Sequence, residues 1–357
     1  MSRKRQKQQS GWVLVFLFIM LFLAVAYILF NRQEQSAPVP AGEGGLEVHF
    51  IDVGQADAAL VICDGHYMLI DGGNAEDSDL VYAYLERHGA SHLDYMVASH
   101  AHEDHIGGLS GALNYAKVDT ALCPVTEYSS KVFQNLVKYL EGQGKSLTVP
   151  EPGDRFELGS AQVEILGPVQ EYDDTNDTSI VLRIDYGETS FLFTGDMETG
   201  AEGDLLDSGA DVRATVLKAG HHGSDTSTGY RFLREVSPRY TVISVGEGNK
   251  YGHPSDEVLS RFRDAGTEVY RTDMQGHIIA ESDGKTVTFR TEKEADTATN
   301  PTGNSTLQTY IGNTSSKKFH RPDCTSAKNI QEDKQVVFYS RLQAVLEDYE
   351  PCGRCKP

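Results

Sequence analysis

The segment Ser99–Gly108 constrains this chain more than any other part of its sequence. It reads Ser-His-Ala-His-Glu-Asp-His-Ile-Gly-Gly, so three histidines and one aspartate fall within the six residues from His100 to His105. The mainly apolar run Leu93–Ala98 precedes it, which predicts a strand that ends in a loop rich in metal ligands. A merely solvated loop needs neither the alternating histidines nor the adjacent carboxylate. We therefore predict a site for two metal ions.

The spacing of these ligands divides them between two ions. In an extended segment His100 and His102 point to the same side, so both imidazoles can converge on one ion. Asp104 and His105 lie beyond the bend and can face a second ion. Glycines at 107–108 are expected to permit a tight turn there. A pair of cations held in this way can generate hydroxide at neutral pH and clamp a phosphate or carbonyl oxygen.

Four further motifs, found in order along the chain, carry a resemblance to a known family. They are Phe-Ile-Asp-Val-Gly-Gln-Ala-Asp-Ala from Phe50, Thr-Gly-Asp from Thr194, Leu-Lys-Ala-Gly-His-His-Gly-Ser from Leu217 and Asn-Lys-Tyr-Gly-His-Pro from Asn249. Together with His-x-His-x-Asp-His they resemble the metallo-β-lactamase fold superfamily, and within it the hydrolase domain of ComEC-family competence proteins. The resemblance covers residues 46–290 and implies an α/β fold, the αββα sandwich. Strands that alternate with helices along the sequence agree with this architecture.

Two of these motifs supply the remaining predicted metal ligands. Asp196 follows a glycine at a strand end and is expected to bridge the two cations. His221 and His222 follow the next strand, and sequence alone does not separate them. We favour His222 as the ligand of the second ion, with His221 orienting ligands or contacting substrate. Residues 176–180, Asn-Asp-Thr-Ser-Ile, stand where many superfamily members have a third histidine, so the first ion is expected to keep an open position and either Zn²⁺ or Mn²⁺ fits.

Other residues near these motifs receive supporting roles. Asp71 ends a strand before two glycines and matches a superfamily motif whose carboxylate orients the ligand loop. Asp57 is expected to act in a similar way, and simple turn chemistry is the alternative for both residues. His253 is predicted to protonate a leaving oxygen, with a structural histidine as the alternative. The predicted catalytic residues are Asp104, Asp196 and His253. The predicted substrate contacts are Ser224, Asn249 and Tyr251, and helix capping is the favoured alternative for the first of these.

The amino-terminal residues indicate a membrane anchor. Residues 1–10 carry four basic side chains, and residues 11–30 contain no charged residue. Twenty apolar residues in a helix span about 30 Å, the thickness of a hydrocarbon core. The basic flank is expected to stay in the cytoplasm, which places the rest of the chain outside the cell. We predict a single-pass signal anchor at 11–30 and a polar tether at 31–45; cleavage of a signal peptide and secretion is the alternative.

The carboxyl-terminal part is predicted to hold a flexible linker, 291–308, and a small zinc-binding α+β module, 309–357. One His-x3-Cys pair and one Cys-x2-Cys pair offer the four ligands of a structural zinc site: His320, Cys324, Cys352 and Cys355. About fifty residues bury little core, so a metal would supply folding free energy. The module resembles the Ada-like zinc-binding domain, with a histidine in place of that family's first cysteine. A disulfide among the three cysteines is the alternative.

The overall charge qualifies the functional prediction. A net charge of −20 argues against a surface built for nucleic acid, although bound cations can reverse the field locally. The resemblance nevertheless implies a hydrolase of phosphodiesters, and together with the small zinc module it makes DNA the expected substrate. The predicted anchor makes this an extracellular, membrane-anchored enzyme. It does not extend to the channel-forming helices of ComEC proteins, so DNA translocation is not expected. The alternatives are a phosphoesterase acting on phosphorylcholine-type cell-wall esters and a non-catalytic protein that binds DNA or a partner. No protein partner and no oligomeric state can be identified from the sequence.

Overall fold

A computed structural model describes residues 44–302, 309–339, 341–355 and 357. These residues form a large domain, 44–302, and a small carboxyl-terminal module that begins at residue 309. The anchor predicted at 11–30 and nearly all of the tether predicted at 31–45 lie outside the described residues. Within the described residues, no helix combines the length and the apolar character needed to cross a bilayer.

Two sheets form the centre of the large domain. In chain order its strands are β1 (Leu46–Phe50), β2 (Ala59–Cys63), β3 (His66–Ile70), β4 (His92–Val97), β5 (Lys117–Leu122), β6 (Leu147–Thr148), β7 (Arg155–Leu158), β8 (Ala161–Gly167), β9 (Val181–Tyr186), β10 (Thr189–Phe193), β11 (Val216–Lys218), β12 (Tyr240–Ile243), β13 (Glu268–Arg271), β14 (Ile278–Ser282) and β15 (Val287–Thr291). The first sheet has the order β15-β14-β1-β2-β3-β4-β5-β6, and the second has the order β13-β12-β11-β10-β9-β8-β7.

Helices cover the outer face of each sheet. In chain order they are α1 (Ser78–Arg87), α2 (Glu103–Ile106), α3 (Leu109–Tyr115), α4 (Lys131–Gly142), α5 (Thr199–Asp207), α6 (Tyr230–Val236), α7 (Asp256–Ala265) and α8 (Thr272–Gln275). The apolar sides of α1, α3 and α4 pack on the first sheet, and those of α5, α6 and α7 pack on the second. The αββα sandwich predicted from the sequence is confirmed.

Strand β2 illustrates how the sequence encodes this layering. All five of its residues, Ala-Leu-Val-Ile-Cys, are buried. Successive side chains of a strand point to opposite faces, so Leu60 packs under the helices while Val61 packs between the two sheets. A strand covered on both faces needs a continuous apolar run rather than an alternating one, because neither face meets water.

The small module contains a four-stranded sheet and two short helices. Its elements are β16 (Tyr310–Asn313), β17 (Lys318–His320), α9 (Thr325–Lys328), β18 (Gln335–Phe338), α10 (Arg341–Leu346) and β19 (Glu350–Pro351). The sheet has the order β18-β16-β17-β19 and packs around a small core that includes Phe319 and Phe338. The predicted α+β module is thus present in the structure.

The module docks on helices α6 and α7 of the large domain. The guanidinium of Arg341 contacts the carboxylate of Asp264 and the hydroxyl of Tyr230. In the segment predicted as a linker, the side chains of Asn300 and Thr302 donate hydrogen bonds to the carbonyl oxygen of Leu259. The described end of that segment is therefore held on the large domain.

Candidate metal centre

Four side chains from three distant segments meet at one edge of the sandwich. Asp104 and His105 lie in α2, Asp196 follows β10 and His222 follows β11; one ligand atom from each lies within 4.8 Å of the others. The Nε2 atom of His105 is 3.3 Å from Asp196 Oδ2. The Nε2 atom of His222 is 3.4 Å from Asp104 Oδ2 and 3.6 Å from Asp196 Oδ2. These are the residues that the sequence predicts around the second ion.

The donor atoms of this cluster fit a divalent cation. His105 Nε2, His222 Nε2 and Asp196 Oδ1 are buried and have no hydrogen-bond partner. A buried polar atom without a partner costs about 1–3 kcal/mol, so three of them in one place require compensation. Two imidazoles and two carboxylates form a donor set that suits Zn²⁺ or Mn²⁺. A cation bound between them would satisfy all three atoms.

The histidines predicted around the first ion lie beside this cluster. His100 is fully buried, its ring centroid is 4.1 Å from that of His105, and its Nε2 is 3.0 Å from Nδ1 of His102. Within residues 176–180 no imidazole supplements them, as the sequence indicates. Ser179 lies there instead: its Oγ is 3.4 Å from His100 Nδ1 and accepts a hydrogen bond from the Asp196 backbone N–H at 3.0 Å. The serine holds the loop that carries the predicted bridging aspartate, a role that we did not assign from the sequence.

Asp71 supports the ligand loop from behind. Its two carboxylate oxygens accept hydrogen bonds from the backbone N–H and the hydroxyl of Ser99, both at 2.7 Å. One of them also lies 2.9 Å from Nδ1 of His105. A proton on Nδ1 that is donated to Asp71 leaves Nε2 of the same ring to bind a cation. Burial raises the pKa of the Asp71 carboxyl.

Asp57 has the corresponding position behind His222. Its Oδ1 is 3.1 Å from His222 Nδ1, and its Oδ2 accepts a hydrogen bond from Lys218 Nζ at 2.7 Å. Burial alone would raise the pKa of Asp57, but the charges of Lys218 and His222 lower it below its ordinary value. We assigned no role to Lys218 from the sequence, although a lysine at the end of the otherwise apolar strand β11 is the signal that could have identified it.

The two adjacent histidines have different surroundings. Both have a left-handed backbone conformation, with φ of 49° at His221 and 53° at His222, which residues other than glycine rarely adopt. The side chain of His222 is only 2% exposed, whereas that of His221 is 24% exposed. His221 Nε2 is 3.6 Å from Asp196 Oδ2, and its Nδ1 is 3.5 Å from Glu198 Oε1. His222 is thus the buried member of the pair, and His221 lies at the rim of the site.

The two glycines after the ligand motif form the turn between α2 and α3 that the sequence predicts, but their backbone angles do not require glycine. Gly107 and Gly108 have helical backbones, with φ of −58° and −81°. A Cβ on Gly107 would lie 2.2 Å from the Ala75 nitrogen, and a Cβ on Gly108 would lie 2.0 Å from the Gly72 carbonyl oxygen. Glycine is required because the segment after Asp71 passes directly against the ligand helix.

Two of the three predicted substrate contacts are engaged within their own loops. The amide of Asn249 donates to the carbonyl oxygens of Gly246 and His253 and accepts from the backbone N–H groups of Tyr251 and His253. Ser224 is buried, and its hydroxyl contacts the hydroxyl of Thr226 at 2.9 Å. Both side chains thus hold their own loops in shape.

Tyr251 and His253 remain at the open rim of the site. Tyr251 is 60% exposed, and its ring stacks on His253 with centroids 5.8 Å apart. The His253 ring also lies 5.8 Å from His221, and its buried Nδ1 has no hydrogen-bond partner. Burial and the neighbouring histidines lower the pKa of His253, so its ring is neutral at pH 7.

An open groove leads from Asp104 to the surface. Its volume is about 610 Å³, and Lys250 and Tyr251 form part of one wall. Five carboxylates also line it, from Asp52, Glu76, Asp77, Glu103 and Asp104. The approach to the cluster is therefore strongly acidic.

Without a cation, the ligand histidines hold protons. Burial favours the neutral ring of His222, but Asp196 and Asp57 outweigh it and raise the His222 pKa to about 10. The pKa of His105 is raised well above its usual range by Asp196 and Asp71, again against the effect of burial. At pH 7 both rings are therefore protonated on the nitrogens that a cation must use.

This protonation predicts that cation binding becomes tighter as pH rises. A cation must displace one or two protons, so we expect the apparent Mn²⁺ affinity to increase by about ten- to a hundredfold per pH unit between about pH 6 and 8. Calorimetric titration in buffers with different ionisation enthalpies counts the protons released. An affinity that is independent of pH would contradict the assignment of these histidines as ligands.

A second cluster of possible ligands lies in the small module. One ligand atom from each of His320, Cys324, Cys352 and Cys355 lies within 4.8 Å of the others. All five cysteines of the chain are free thiols, so the structure contains no disulfide. Burial raises the pKa of the Cys324 thiol, but backbone N–H groups of α9 and the His320 ring lower it to about 6. A thiol that ionises readily suits a metal ligand.

Comparison with known proteins agrees with both clusters. The family model described as "Metallo-beta-lactamase superfamily" matches residues 51–247, which is more than half of the chain. The chain belongs to the metallo-beta-lactamase superfamily. A second family model, described as the metal binding domain of Ada, matches residues 300–357. The four ligands of the second cluster lie within this range. The family resemblances stated from the sequence motifs are therefore confirmed.

Relatives of this superfamily member include competence proteins. ComE operon protein 3 of Bacillus subtilis (strain 168) is 29% identical over 280 residues, which cover 73% of this chain and 36% of that protein. Competence protein ComA of Neisseria gonorrhoeae is 31% identical over 241 residues, which cover 67% of this chain and 32% of that protein. The chain thus spans about a third of the length of these relatives. Among solved structures, the metallo-beta-lactamase fold protein YhfI from Bacillus subtilis is 16% identical with a TM-score of 0.42, over 63% of this chain and 96% of that one.

Proposed function

We propose that this protein is a metal-dependent phosphodiesterase that cleaves DNA. The observation that carries the proposal is the convergence of three unpartnered, buried ligand atoms in the cluster of Asp104, His105, Asp196 and His222. Divalent cations bound there would polarise a phosphate oxygen and activate a water molecule. A protein that only binds a partner has no need of such a cluster, so the non-catalytic alternative is disfavoured.

Residues of the chain position the ligands and the substrate. Asp71 accepts a hydrogen bond from Nδ1 of His105, and Nδ1 of His222 donates to the Ser244 carbonyl oxygen and lies 3.1 Å from Asp57 Oδ1, so both rings present Nε2 to the same space. The side chain of Asp104 is 35% exposed and faces the groove, where its carboxylate can accept a hydrogen bond from the attacking water. The neutral ring of His253 can donate a hydrogen bond to the leaving oxygen at the rim.

DNA as the substrate is supported by the relatives and by the small module. Two relatives carry the names ComE operon protein 3 and Competence protein ComA. Residues 309–357 contain eight basic and six acidic residues, whereas the whole chain has a net charge of −20. Basic side chains of this module are exposed at Arg321, Lys328 and Arg354. The module is therefore better suited than the large domain to contact a polyanion.

The acidic groove favours a second candidate substrate. Its five carboxylates repel a polyanion but attract a cationic group, and the exposed ring of Tyr251 can bind a quaternary ammonium by a cation–π contact. A phosphoester of a cationic alcohol, such as a phosphorylcholine ester, would place its phosphate at the cluster and its ammonium in the groove.

The two candidates are separated by a substrate panel. The full-length protein, purified in detergent and loaded with Mn²⁺ or Zn²⁺, is incubated with single-stranded DNA, double-stranded DNA, bis-p-nitrophenyl phosphate and p-nitrophenyl phosphorylcholine. We expect cleavage of DNA and of the simple diester. Turnover of the phosphorylcholine ester alone would favour the second candidate, and no turnover with any metal would favour the binding protein.

We also propose that the catalytic domain lies outside the cell on a single membrane anchor. The uncharged residues 11–30 and the basic residues before them support this arrangement. Protease added to intact cells is expected to degrade the catalytic domain, while the amino terminus stays with the membrane fraction. Recovery of the protein in the medium would favour secretion after signal cleavage, and complete protection from protease would contradict both arrangements.

A further inference from the structure

Lys218 is a buried cation directly beneath the metal centre. It is 3% exposed, and its ammonium donates hydrogen bonds to Asp57 Oδ2 at 2.7 Å and to the Ala219 carbonyl oxygen at 2.9 Å. Removing an ammonium from water costs several kcal/mol, and a well-placed carboxylate only offsets this cost. With an apolar side chain at the end of β11 the protein would fold without this desolvation cost. The presence of a lysine there therefore needs a further explanation.

The hydrogen bonds of His222 indicate what the buried pair does. Its Nδ1 lies 3.1 Å from Asp57 Oδ1 and 3.2 Å from the Ser244 carbonyl oxygen. Both oxygens can only accept, so Nδ1 carries a hydrogen. The same ring directs its Nε2 at Asp104 and Asp196, where a cation must replace the remaining proton.

We propose that Lys218 is a positioning residue for His222. Its ammonium holds one oxygen of Asp57, which keeps the other oxygen, Oδ1, 3.1 Å from Nδ1–H of His222. The carboxylate charge at that distance favours the ring that presents Nε2 to the second cation. The lysine ammonium has three donors and no acceptor, so in its hydrogen bond with Asp57 it can only be the donor. The inference rests on the proposed metal centre, and it adds a lysine, an aspartate and a histidine that act in series behind it.

The surroundings leave this arrangement little freedom. A cavity of about 10 Å³ is lined by Lys218, Asp57, Asp71, Ser99 and Ser244, among others. A space of this size holds one water molecule at most. The space around the Lys218–Asp57 pair is therefore nearly filled. Methionine has nearly the length of lysine without its charge, which makes Lys218→Met the informative variant.

The test compares Mn²⁺ affinity in the metal-free, full-length protein, followed by the electron paramagnetic resonance signal of free Mn²⁺. We expect Lys218→Met to weaken binding by about 10- to 100-fold, as is typical when a group that orients a metal-bound histidine is lost. Lys285→Met, at an exposed lysine in the turn between β14 and β15, is the matched control and should bind as the wild type does.

Asp57→Asn tests the same contact from its other side. Because Lys218 requires an oxygen, the asparagine would turn its NH₂ group toward Nδ1–H of His222, and two donors would face each other. We expect a similar loss of affinity. The double variant should bind no more weakly than Asp57→Asn alone, since the lysine acts through the aspartate. Asp57→Asn also serves as the test if Lys218→Met fails to fold.

The outcomes distinguish this inference from the proposed function. A wild-type protein that binds no Mn²⁺ would overturn the metal centre and the role of Lys218 together. A wild-type protein that binds Mn²⁺, with a Lys218→Met variant of equal affinity, would overturn the role of Lys218 alone. A lower melting temperature of Lys218→Met at unchanged affinity would assign the lysine a purely structural role and would also overturn the inference.

Discussion

Replacing Asp196 by asparagine is expected to reduce phosphodiester cleavage by about a thousandfold or more. Its Oδ2 lies 3.3 Å from His105 Nε2 and 3.6 Å from the Nε2 atoms of both His221 and His222, so it is the carboxylate that touches most of the cluster. Asparagine preserves the shape but removes the charge and places an NH₂ group where cations must bind. Stabilisation by bound cations is worth several kcal/mol, and each 1.36 kcal/mol corresponds to about a factor of ten in rate.

The measurement is kcat/KM for bis-p-nitrophenyl phosphate together with the number of Mn²⁺ ions bound per chain. Asp207→Asn is the matched control, because Asp207 ends helix α5 of the same domain and only pairs with Arg231 at the surface. The control should keep both the turnover and the bound metal of the wild type. Wild-type turnover in the Asp196→Asn variant would be incompatible with a catalytic centre at this cluster.

We propose that the small module holds a zinc ion, and removal of this ion is expected to unfold the module while the large domain remains folded. Among the described residues, the buried apolar side chains of the module form two small clusters, one of Tyr310, Phe319, Phe338, Ala344 and Tyr349 and one of Cys324, Ala327 and Cys352. So small a core contributes little, whereas zinc bound to finger-sized peptides supplies about 10–16 kcal/mol. Cys352→Ser should therefore lower the zinc content by one ion per chain and open residues 309–357 to trypsin. A chelator that reaches the site should have the same effect on the wild type.

Two comparisons separate zinc from a disulfide and from a general effect of cysteine loss. A reducing agent without chelating groups should leave the module protected, because the cysteines are free thiols. Cys123→Ser is the control variant: burial raises the pKa of this thiol to about 12, and it lies in the core of the large domain. Trypsin resistance that survives both Cys352→Ser and the chelator would show that zinc does not hold the module together.

Several local features of the large domain can be read from its sequence. The predicted catalytic domain, 46–290, corresponds to strands that begin at Leu46 and end at Thr291. Helix α4 begins after Ser130, whose hydroxyl accepts a hydrogen bond from the Phe133 N–H, and α7 begins after Ser255 in the same way. These features follow from local chemistry, namely apolar periodicity and capping side chains, and so they can be read from neighbouring residues.

The sequence by itself determined which residues are candidate metal ligands, although it left the choice between His221 and His222 open. The motif His-x-His-x-Asp-His places its candidate ligands a few residues apart, and Asp196 and His222 each follow a strand. Short spacings and strand ends were therefore sufficient to find these candidates. The four ligands of the small module were also evident, because His-x3-Cys and Cys-x2-Cys are local patterns.

Only the tertiary structure decided how these ligands are supported. Lys218 reaches Asp57 across 161 positions of the chain, and Ser179 reaches His100 across 79. The same holds for Gly108, which is required by contact with Gly72 rather than by its own backbone angles. Such roles depend on which segments fold against each other, and a spacing along the chain carries no information about that. Local pattern therefore identified the groups that can bind a cation, while long-range packing determined their orientation, charge and access to solvent.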